Sequence, residues 1–141
     1  MNNQNIDEAL LYCDGSCAHR TRIAVGVLIK TPDGNEIEYS ASISQHGSCN
    51  QSEYYAIITG LRLCLGNGTQ KIHVYSDSQV VIRQLQGKYR INHGLRCLYD
   101  KTRNLEKHFT SVTYTWLPRE TPEIMRVNRL AQLRNNLKIV H

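Results

Sequence analysis

Three carboxylates in this sequence stand where apolar segments end or begin. Asp14 follows the apolar "LLYC", Glu53 opens a helical pattern, and Asp77 lies between "IHVY" and "VVIRQL". Each has an ordinary alternative. Asp14 fits an Asp-Gly turn, and Asp77 fits a helix N-cap or a first-turn acid. Asn50 and Glu53 have the spacing of a capping box. A charge between two hydrophobic elements nevertheless needs a partner or a chemical role.

Taken together, the three acids suggest a metal site. If the strands that precede Asp14 and Asp77 are neighbours, both carboxylates lie at one edge of the sheet, and Glu53 can join them from the first helix. Three clustered carboxylates repel one another unless cations neutralise them. Oxygen ligands suit Mg²⁺ or Mn²⁺. Two such ions about 4 Å apart can activate a water and stabilise the leaving oxygen in phosphodiester cleavage.

The length and composition predict one domain. The chain has 141 residues, of which 40% are hydrophobic, and this suits a single core spanning residues 1–141. We expect the ends, residues 1–7 and about 136–141, to be flexible. No apolar run reaches the roughly 18 residues of a membrane span, and the N-terminus lacks the regions of a signal peptide. We therefore expect a cytoplasmic monomer that does not contact a membrane.

The distribution of charge along the chain and the spacing of the cysteines indicate which partners and metals the protein can bind. Residues 1–60 carry three Lys/Arg against seven Asp/Glu, whereas residues 61–141 carry fourteen against five. This asymmetry suggests an anionic partner such as nucleic acid, with a solvated basic face as the equal alternative. Three of the five cysteines, Cys13, Cys64 and Cys97, fall on or beside apolar stretches and are expected to be reduced, buried thiols. A zinc site is a minor alternative because no C-x2-C pair is present; its ligands would be Cys13, Cys17, His46 and Cys49.

The hydrophobic periodicity predicts an α/β fold. Strands are predicted at "ALLYCDGS", "RIAVGVLIK", "IEYSASI", "KIHVYS" and "SVTYTWL", and "TPDGNE" fits a hairpin turn. Helical spacing predicts four helices, at about 52–65, 78–86, 95–109 and 123–137. Three hairpin-type strands followed by alternating helices and strands indicate a mixed sheet flanked by helices. Sites in such sheets gather where strands lead into helices.

At this level of detail the sequence resembles a type 1 ribonuclease H. The matching segments, from about Ala9 to Ala131, are "YCDGS", "NQSEYYAIITGLRL", "VYSDSQVVIRQLQGKY" and "WLPRE". The resemblance implies a ribonuclease H-like, five-stranded mixed sheet in the order 3-2-1-4-5. It also implies an endonuclease that binds RNA–DNA hybrids and cleaves their RNA strand with two Mg²⁺ or Mn²⁺ ions, leaving 5′-phosphate and 3′-hydroxyl ends.

The resemblance assigns metal-binding roles to three acids, and the sequence differs from the family at the position of the fourth. Asp14, Glu53 and Asp77 match the first three of the family's four metal-binding acids. Aligning "NRLA" with the family's last motif places Asn128 where the fourth acid is expected. An amide oxygen ligates cations weakly and adds no charge, so we expect a weakened fourth ligand and a slower enzyme. Glu123 or, less favourably, Glu120 is the alternative fourth ligand, although Glu123 also suits the first turn of a helix.

Further residues match the family's substrate contacts. Gly15 and Ser16 match positions that approach the RNA strand, where the 2′-hydroxyl distinguishes RNA from DNA. Asn50 matches a residue that contacts the hybrid, and Arg119 matches an Arg of the family's shorter members. The segment after Asp77 has no room for an extra basic helix, as in the compact archaeal and reverse-transcriptase-like branch. Basic residues after that acid can supply backbone contacts instead, although for each of them a solvated surface charge is an equally good alternative, namely for Lys88, Arg90, Arg96, Lys101 and Arg103.

Two other functions remain open from the sequence. A degenerate member of the family would bind nucleic acid or a protein without cutting, and a nuclease of the same fold could act on double-stranded RNA. Retention of Asp14, Glu53 and Asp77 favours an enzyme over a decayed site. Metal-dependent turnover distinguishes the enzymes from the binding protein, and substrate tests distinguish the two enzymes.

Overall fold

The described residues of the computed structural model, 7–18, 22–44 and 46–136, form five strands and four helices. In chain order they are β1 (Glu8–Ala18), β2 (Arg22–Lys30), β3 (Glu36–Ser44), α1 (Cys49–Gly66), β4 (Lys71–Ser76), α2 (Gln79–Leu85), α3 (His93–Glu106), β5 (Ser111–Trp116) and α4 (Pro122–Asn136). The flexibility expected of residues 1–6 and 137–141 concerns positions outside the described residues, as does the predicted end of the last helix.

The sheet has the predicted order, β3-β2-β1-β4-β5. β1, β2 and β3 pair antiparallel, whereas β4 and β5 are parallel to β1. β2 and β3 are joined by the predicted hairpin turn, in which Gly34 adopts a φ of 91° that L-residues avoid. The ribonuclease H-like α/β architecture inferred from the sequence is therefore confirmed.

The Asp-Gly turn expected as an alternative at Asp14 is wrong. β1 does not end there but continues to Ala18, and Asp14 pairs with Gly26 of β2 inside the sheet. Pairing of the residues after Asp14 with β2 stabilises the extended conformation more than the local preference of Asp-Gly stabilises a turn. Asp14 is consequently a charged side chain in the middle of a central strand.

The capping alternatives for the other two acids are also wrong. α1 begins at Cys49, three residues earlier than predicted, because Ser48 and Gln51 form the capping box. Glu53 therefore does not cap the helix. α2 has Ser78 as its N-cap, and the Ser78 hydroxyl accepts a hydrogen bond from the Val81 N–H. Both helix ends are stabilised by other residues, so neither acid is required as a cap.

Helices cover both faces of the sheet. On one face α1 packs against β1 and α3, burying the side chains of Tyr54, Ile57, Ile58 and Leu61. On the other face α4 packs against β1 and β2, and its Ile124 and Val127 contact a smaller core with Tyr12 and Leu28. None of the described helices is long and apolar enough to cross a membrane. The two packed layers hold the central strands rigidly between α1 and α4.

Four details of the helices differ from prediction. The helical spacing of Tyr54, Ile57, Leu61 and Leu65 predicts that Leu65 is buried, but it is exposed, and the neighbouring Cys64 is buried in its place. Val80 shares the apolar spacing of α2 but is exposed. Cys97, expected to be buried, is exposed on α3. α3 ends at Glu106, so Phe109 is buried from the connecting segment rather than from the helix. These shifts concern helix faces and ends, and they leave the site-bearing elements unchanged.

Candidate metal centre

The structure brings the three sequence-predicted acids together. Asp14 lies in β1, Glu53 in α1, and Asp77 directly after β4, which is the parallel neighbour of β1. One oxygen of each carboxylate lies within 4.8 Å of one oxygen of each of the others. The Asp14 side chain is fully buried, whereas the others are partly accessible from one side. The acids thus form an open carboxylate cluster just beyond the point where the parallel pairing of β1 with β4 ends, at Tyr12 and Tyr75.

A glycine allows α1 to approach β1 closely enough to deliver Glu53. The Gly15 N–H donates a hydrogen bond of 3.0 Å to Glu53 Oε1. A Cβ atom at Gly15 would overlap the backbone carbonyl of Ser52, so any side chain at this position would push the helix away. Gly15, expected to approach the RNA strand, therefore has a structural role as well.

Asp77 is held from β5 and from the loop that follows it. The Trp116 indole Nε1–H donates a hydrogen bond of 3.1 Å to the Asp77 backbone carbonyl. Arg119 Nε donates to Asp77 Oδ2 over 3.1 Å, and its side chain is 66% exposed. The arginine predicted to contact substrate therefore lies against the carboxylate cluster and faces solvent.

α4 reaches the cluster through a second close approach. Gly26 pairs with Asp14 across β1 and β2, and a Cβ there would overlap the carbonyl oxygen of Val127. This contact places the following residue, Asn128, over the strand pair, where its Nδ2 donates a hydrogen bond of 2.8 Å to Asp14 Oδ2. The residue aligned with the missing fourth acid is thus part of the cluster.

The alternative fourth ligand, Glu123, lies elsewhere. Its carboxylate accepts a 2.9 Å hydrogen bond from Lys30 Nζ, at the far end of β2 from Gly26. Within the part of the chain that the structure describes, neither Glu123 nor Glu120 belongs to the cluster. The ion pair with Lys30 holds the first turn of α4 against the sheet, and Glu123 consequently has a structural contact in place of a metal.

Burial and mutual repulsion favour the protonated forms of the acids. Burial, followed by the negative charge of Asp77, raises the pKa of Asp14 to about 7, and the hydrogen bond from Asn128 partly opposes this. Burial and the charge of Asp14 raise the pKa of Glu53 well above its usual range, against the hydrogen bond from Gly15. A neutralising cation would therefore stabilise the ionised cluster.

One atom in particular lacks a partner. Asp14 Oδ1 is fully buried and accepts no hydrogen bond, although buried carboxylate oxygens normally have partners. Hard oxygen donors with an open side suit Mg²⁺ or Mn²⁺. In residues 7–18, 22–44 and 46–136 this is the only group of three acidic, His or Cys ligands lying so close together. The zinc alternative is unsupported, since the buried Cys13 belongs to the hydrophobic core.

The remaining predicted substrate residues lie on several elements and differ in exposure. Ser16 follows Gly15 in β1 and is half-buried, and Asn50 is exposed in the first turn of α1. Lys88 and Arg90 are exposed before α3. Arg103 differs from this expectation, because it bonds inside the protein, to Tyr99, Glu106 and the carbonyl of Leu85.

Two positioning features were not predicted, although the sequence contains signals for both. A glycine inside the strand "RIAVGVLIK" signals a close backbone approach, and Gly26 is where α4 approaches. Ser48 and Gln51 have the S-x-x-Q spacing of a capping box, which the overlapping Asn50 and Glu53 pair concealed.

Comparison with known proteins agrees with this architecture. The family model described as reverse transcriptase-like matches residues 12–132. The crystal structure of RNase H1 from the halophilic archaeon Halobacterium salinarum superposes with a TM-score of 0.82 and 30% identity, covering 89% of this chain and 95% of that one. LC11-RNase H1 in complex with an RNA/DNA hybrid superposes with a TM-score of 0.81 and 25% identity, covering 89% and 95%.

Sequence relatives point the same way. Ribonuclease HI of Halobacterium salinarum is 32% identical over 114 residues, which are 79% of this chain and 57% of that protein. A bifunctional protein of Mycobacterium tuberculosis is 32% identical over 71 residues, 50% of this chain and 20% of its own length. The chain thus spans only a part of these relatives.

The fold and the acid cluster define a ribonuclease H-like domain. Within that class, the chain belongs to the reverse transcriptase-like family and is similar to type 1 ribonucleases H.

Proposed function

We propose that this chain is an endonuclease that hydrolyses the RNA strand of RNA–DNA hybrids with two Mg²⁺ or Mn²⁺ ions. The observation that carries the proposal is the orphaned, buried Asp14 Oδ1 beside two further carboxylates. The family supports nuclease chemistry in general. The RNA/DNA hybrid bound to a structural relative supports the substrate class. The expected products have 5′-phosphate and 3′-hydroxyl ends.

Each residue of the cluster would supply ligand atoms to the ions. Asp14, Glu53 and Asp77 would supply carboxylate ligands, and when bound, the ions would activate water and stabilise the leaving oxygen. Because Asn128 Nδ2 is engaged with Asp14, its Oδ1 is the atom left to ligate an ion. This amide adds no negative charge, so the second ion would be held less tightly than by four acids.

The surrounding residues would bind and orient the hybrid. Gly15 and Ser16 would lie along the RNA strand, where a 2′-hydroxyl can be recognised, and the exposed Asn50 would contact the hybrid one turn before Glu53. The Arg119 guanidinium now pairs with Asp77. Its exposed position allows it to exchange this carboxylate for a substrate phosphate once cations neutralise the cluster.

The test is cleavage of a labelled RNA–DNA hybrid in Mg²⁺ and, separately, in Mn²⁺, with end analysis of the products. Asp77→Asn is the control, since it keeps the shape of a side chain that lies at the surface of the cluster. RNA cleavage that this variant lacks supports the proposal. Preferential cleavage of double-stranded RNA would show that the protein is a nuclease but that RNA–DNA hybrids are not its substrate.

Asn128 favours a second candidate, a protein that binds nucleic acid or a protein partner without cutting. Loss of one acid from the cluster is the specific observation behind it. Binding of the hybrid without cleavage in either metal, and without rescue by Asn128→Asp, would favour this alternative.

We also propose that the protein is cytoplasmic and monomeric, and that residues 1–141 form a single domain.

A further inference from the structure

Two thiols meet beside the carboxylate cluster, where β1 faces the start of α1. Cys17 lies three residues after Asp14 in β1, and Cys49 is the first residue of α1, four residues before Glu53. Gly15, two residues before Cys17 on β1, packs against Ser52, which lies one helical turn after Cys49 on α1. This packing sets the two thiols beside each other, close enough to interact. Cys17 Sγ also lies 3.8 Å from the Gly47 carbonyl oxygen. The pair is separated by 32 positions in the sequence and is brought together only by the fold.

This pair combines proximity with access to solvent. Cys49 is exposed and Cys17 is half-buried. Cys13 and Cys64 also lie near each other, but both are sealed in the hydrophobic core. Cys97 is exposed on α3. Among the five cysteines, all of which the structure describes, Cys17 and Cys49 are the pair that a dissolved oxidant can reach.

The backbone on either side of the pair is held in place. The close packing of Gly15 on Ser52 fixes the distance between β1 and the first turn of α1, and the capping box of Ser48 and Gln51 fixes the start of the helix. A disulfide needs Cα atoms roughly 4.4–6.8 Å apart and β-carbons that point toward each other. The contact of Gly15 with Ser52, one helical turn from Cys49, brings the two backbones close together beside the thiol pair.

We propose that Cys17 and Cys49 are a modification site that takes a small-molecule disulfide, such as oxidised glutathione, as its oxidant. The exposed Cys49 thiolate attacks one sulfur of the oxidant, forming a mixed disulfide and releasing one glutathione thiolate, which takes up a proton. The Cys17 thiolate then attacks the Cys49 sulfur and releases the second glutathione. Two protein thiols are oxidised to one disulfide, and one oxidised glutathione is reduced to two thiols.

The crosslink would stabilise the fold. It would close a loop that contains β2, β3 and the segment before α1, and so would reduce the conformational freedom of the unfolded chain. For a loop of this length in a domain of this size, we expect the melting temperature to rise by roughly 5–10 °C on oxidation. Addition of dithiothreitol should return it to the reduced value.

The experiment treats the native, reduced protein with oxidised glutathione and follows it by intact mass and peptide mapping. We expect a loss of about 2 Da, the mass of two hydrogen atoms, and a crosslinked peptide pair containing Cys17 and Cys49. Cys97→Ser is the matched control and should form the same crosslink. Cys17→Ser should instead accumulate a glutathione adduct on Cys49.

Two results would overturn the proposal. One is a stable glutathione adduct on Cys49 of the wild-type protein, since that would show that Cys17 does not resolve it. The other is free alkylation of both thiols after treatment with oxidant. The mass measurement needs no nuclease activity, so its outcome is independent of the proposed function.

Discussion

Asn128 donates a hydrogen bond of 2.8 Å from its amide nitrogen to Asp14 Oδ2, across 114 residues of sequence. Asp14 is thereby stabilised in its ionised form without any gain in positive charge, and the bond partly offsets the effect of burial on the pKa of Asp14. The amide occupies the position aligned with the family's fourth acid. Because an amide adds no negative charge, we expect it to hold an ion less tightly than a fourth acid would.

Restoring the acid with Asn128→Asp should tighten binding of the second ion. We expect about a tenfold lower Mg²⁺ concentration for half-maximal hybrid cleavage, which corresponds to about 1.4 kcal/mol, because the added charge attracts the cation. A Mg²⁺ titration of the cleavage rate measures it. Asn128→Ser, which is polar but uncharged, is the control, and equal metal dependence in the variant and the wild type would contradict the prediction.

Removing divalent ions should destabilise the protein at alkaline pH more than at acid pH. The folded-state pKa of Asp14 is about 7, against a usual value of 3.8. Between these values the folded protein holds a proton that the unfolded chain has lost, so the free energy of unfolding of the ion-free protein falls as the pH rises from about 4 to about 7. The loss should be on the order of 2–4 kcal/mol.

Thermal unfolding with EDTA and with Mg²⁺, at pH 5 and pH 8, measures this effect. Asp14→Asn is the control, because it removes the titrating carboxylate and should be more stable than the wild type in EDTA at pH 8. Mg²⁺ should stabilise the wild-type protein mainly at pH 8. An ion-free wild type whose stability relative to Asp14→Asn is the same at both pH values would refute the prediction.

Gly15→Ala should disrupt the site through the backbone. The new methyl group would overlap the Ser52 carbonyl, so α1 must move and carry Glu53 with it. We expect a loss of about 2–3 kcal/mol in the free energy of unfolding and at least a hundredfold loss of cleavage, since small displacements at a catalytic site are costly. Gly94→Ala is the control because it adds a methyl group in open space on α3. Comparable losses in both variants would argue against this account.

Arg119→Ala should weaken substrate binding more than stability. The Arg119 side chain is 66% exposed, and such ion pairs contribute about 0–1 kcal/mol to the free energy of unfolding. We expect about a tenfold rise in KM for the hybrid, because a phosphate contact is lost. Steady-state kinetics and denaturant unfolding separate the two effects. A fall in unfolding free energy with unchanged KM would instead assign Arg119 a purely structural role.

Tyr54→Phe should destabilise the segment between α2 and α3. The Tyr54 hydroxyl donates a hydrogen bond of 2.7 Å to Gln84 Oε1, and Gln84 Nε2 donates to the Arg90 carbonyl over 3.1 Å. Removing the hydroxyl leaves a buried amide oxygen unsatisfied, which costs about 1–3 kcal/mol. Urea denaturation measures the loss. Tyr89→Phe, at a side chain exposed before α3, should leave stability unchanged, and a similar loss there would contradict this assignment.

The sequence by itself determined the elements and their order. The continuous apolar run in "RIAVGVLIK" and the helical spacing around Tyr54 report local burial, and burial patterns depend on neighbours only a few residues away. The same patterns place Asp14 after the apolar "LLYC", Glu53 early in a helix and Asp77 directly after the fourth strand. With the resemblance to type 1 ribonucleases H, these positions were sufficient to predict the sheet order and the acid cluster.

Only the tertiary structure decided between the roles open to each side chain. It showed that Ser48 and Ser78 cap the helices, that Glu123 binds Lys30, and that Asn128 reaches Asp14. It also placed Cys17 and Cys49 beside each other, where β1 packs on the start of α1. Apart from the two caps, these relationships join residues that are distant in sequence, and they depend on how closely two backbones approach. A glycine in a strand signals that a close approach is possible, but which element approaches Gly15 or Gly26 is set by tertiary packing.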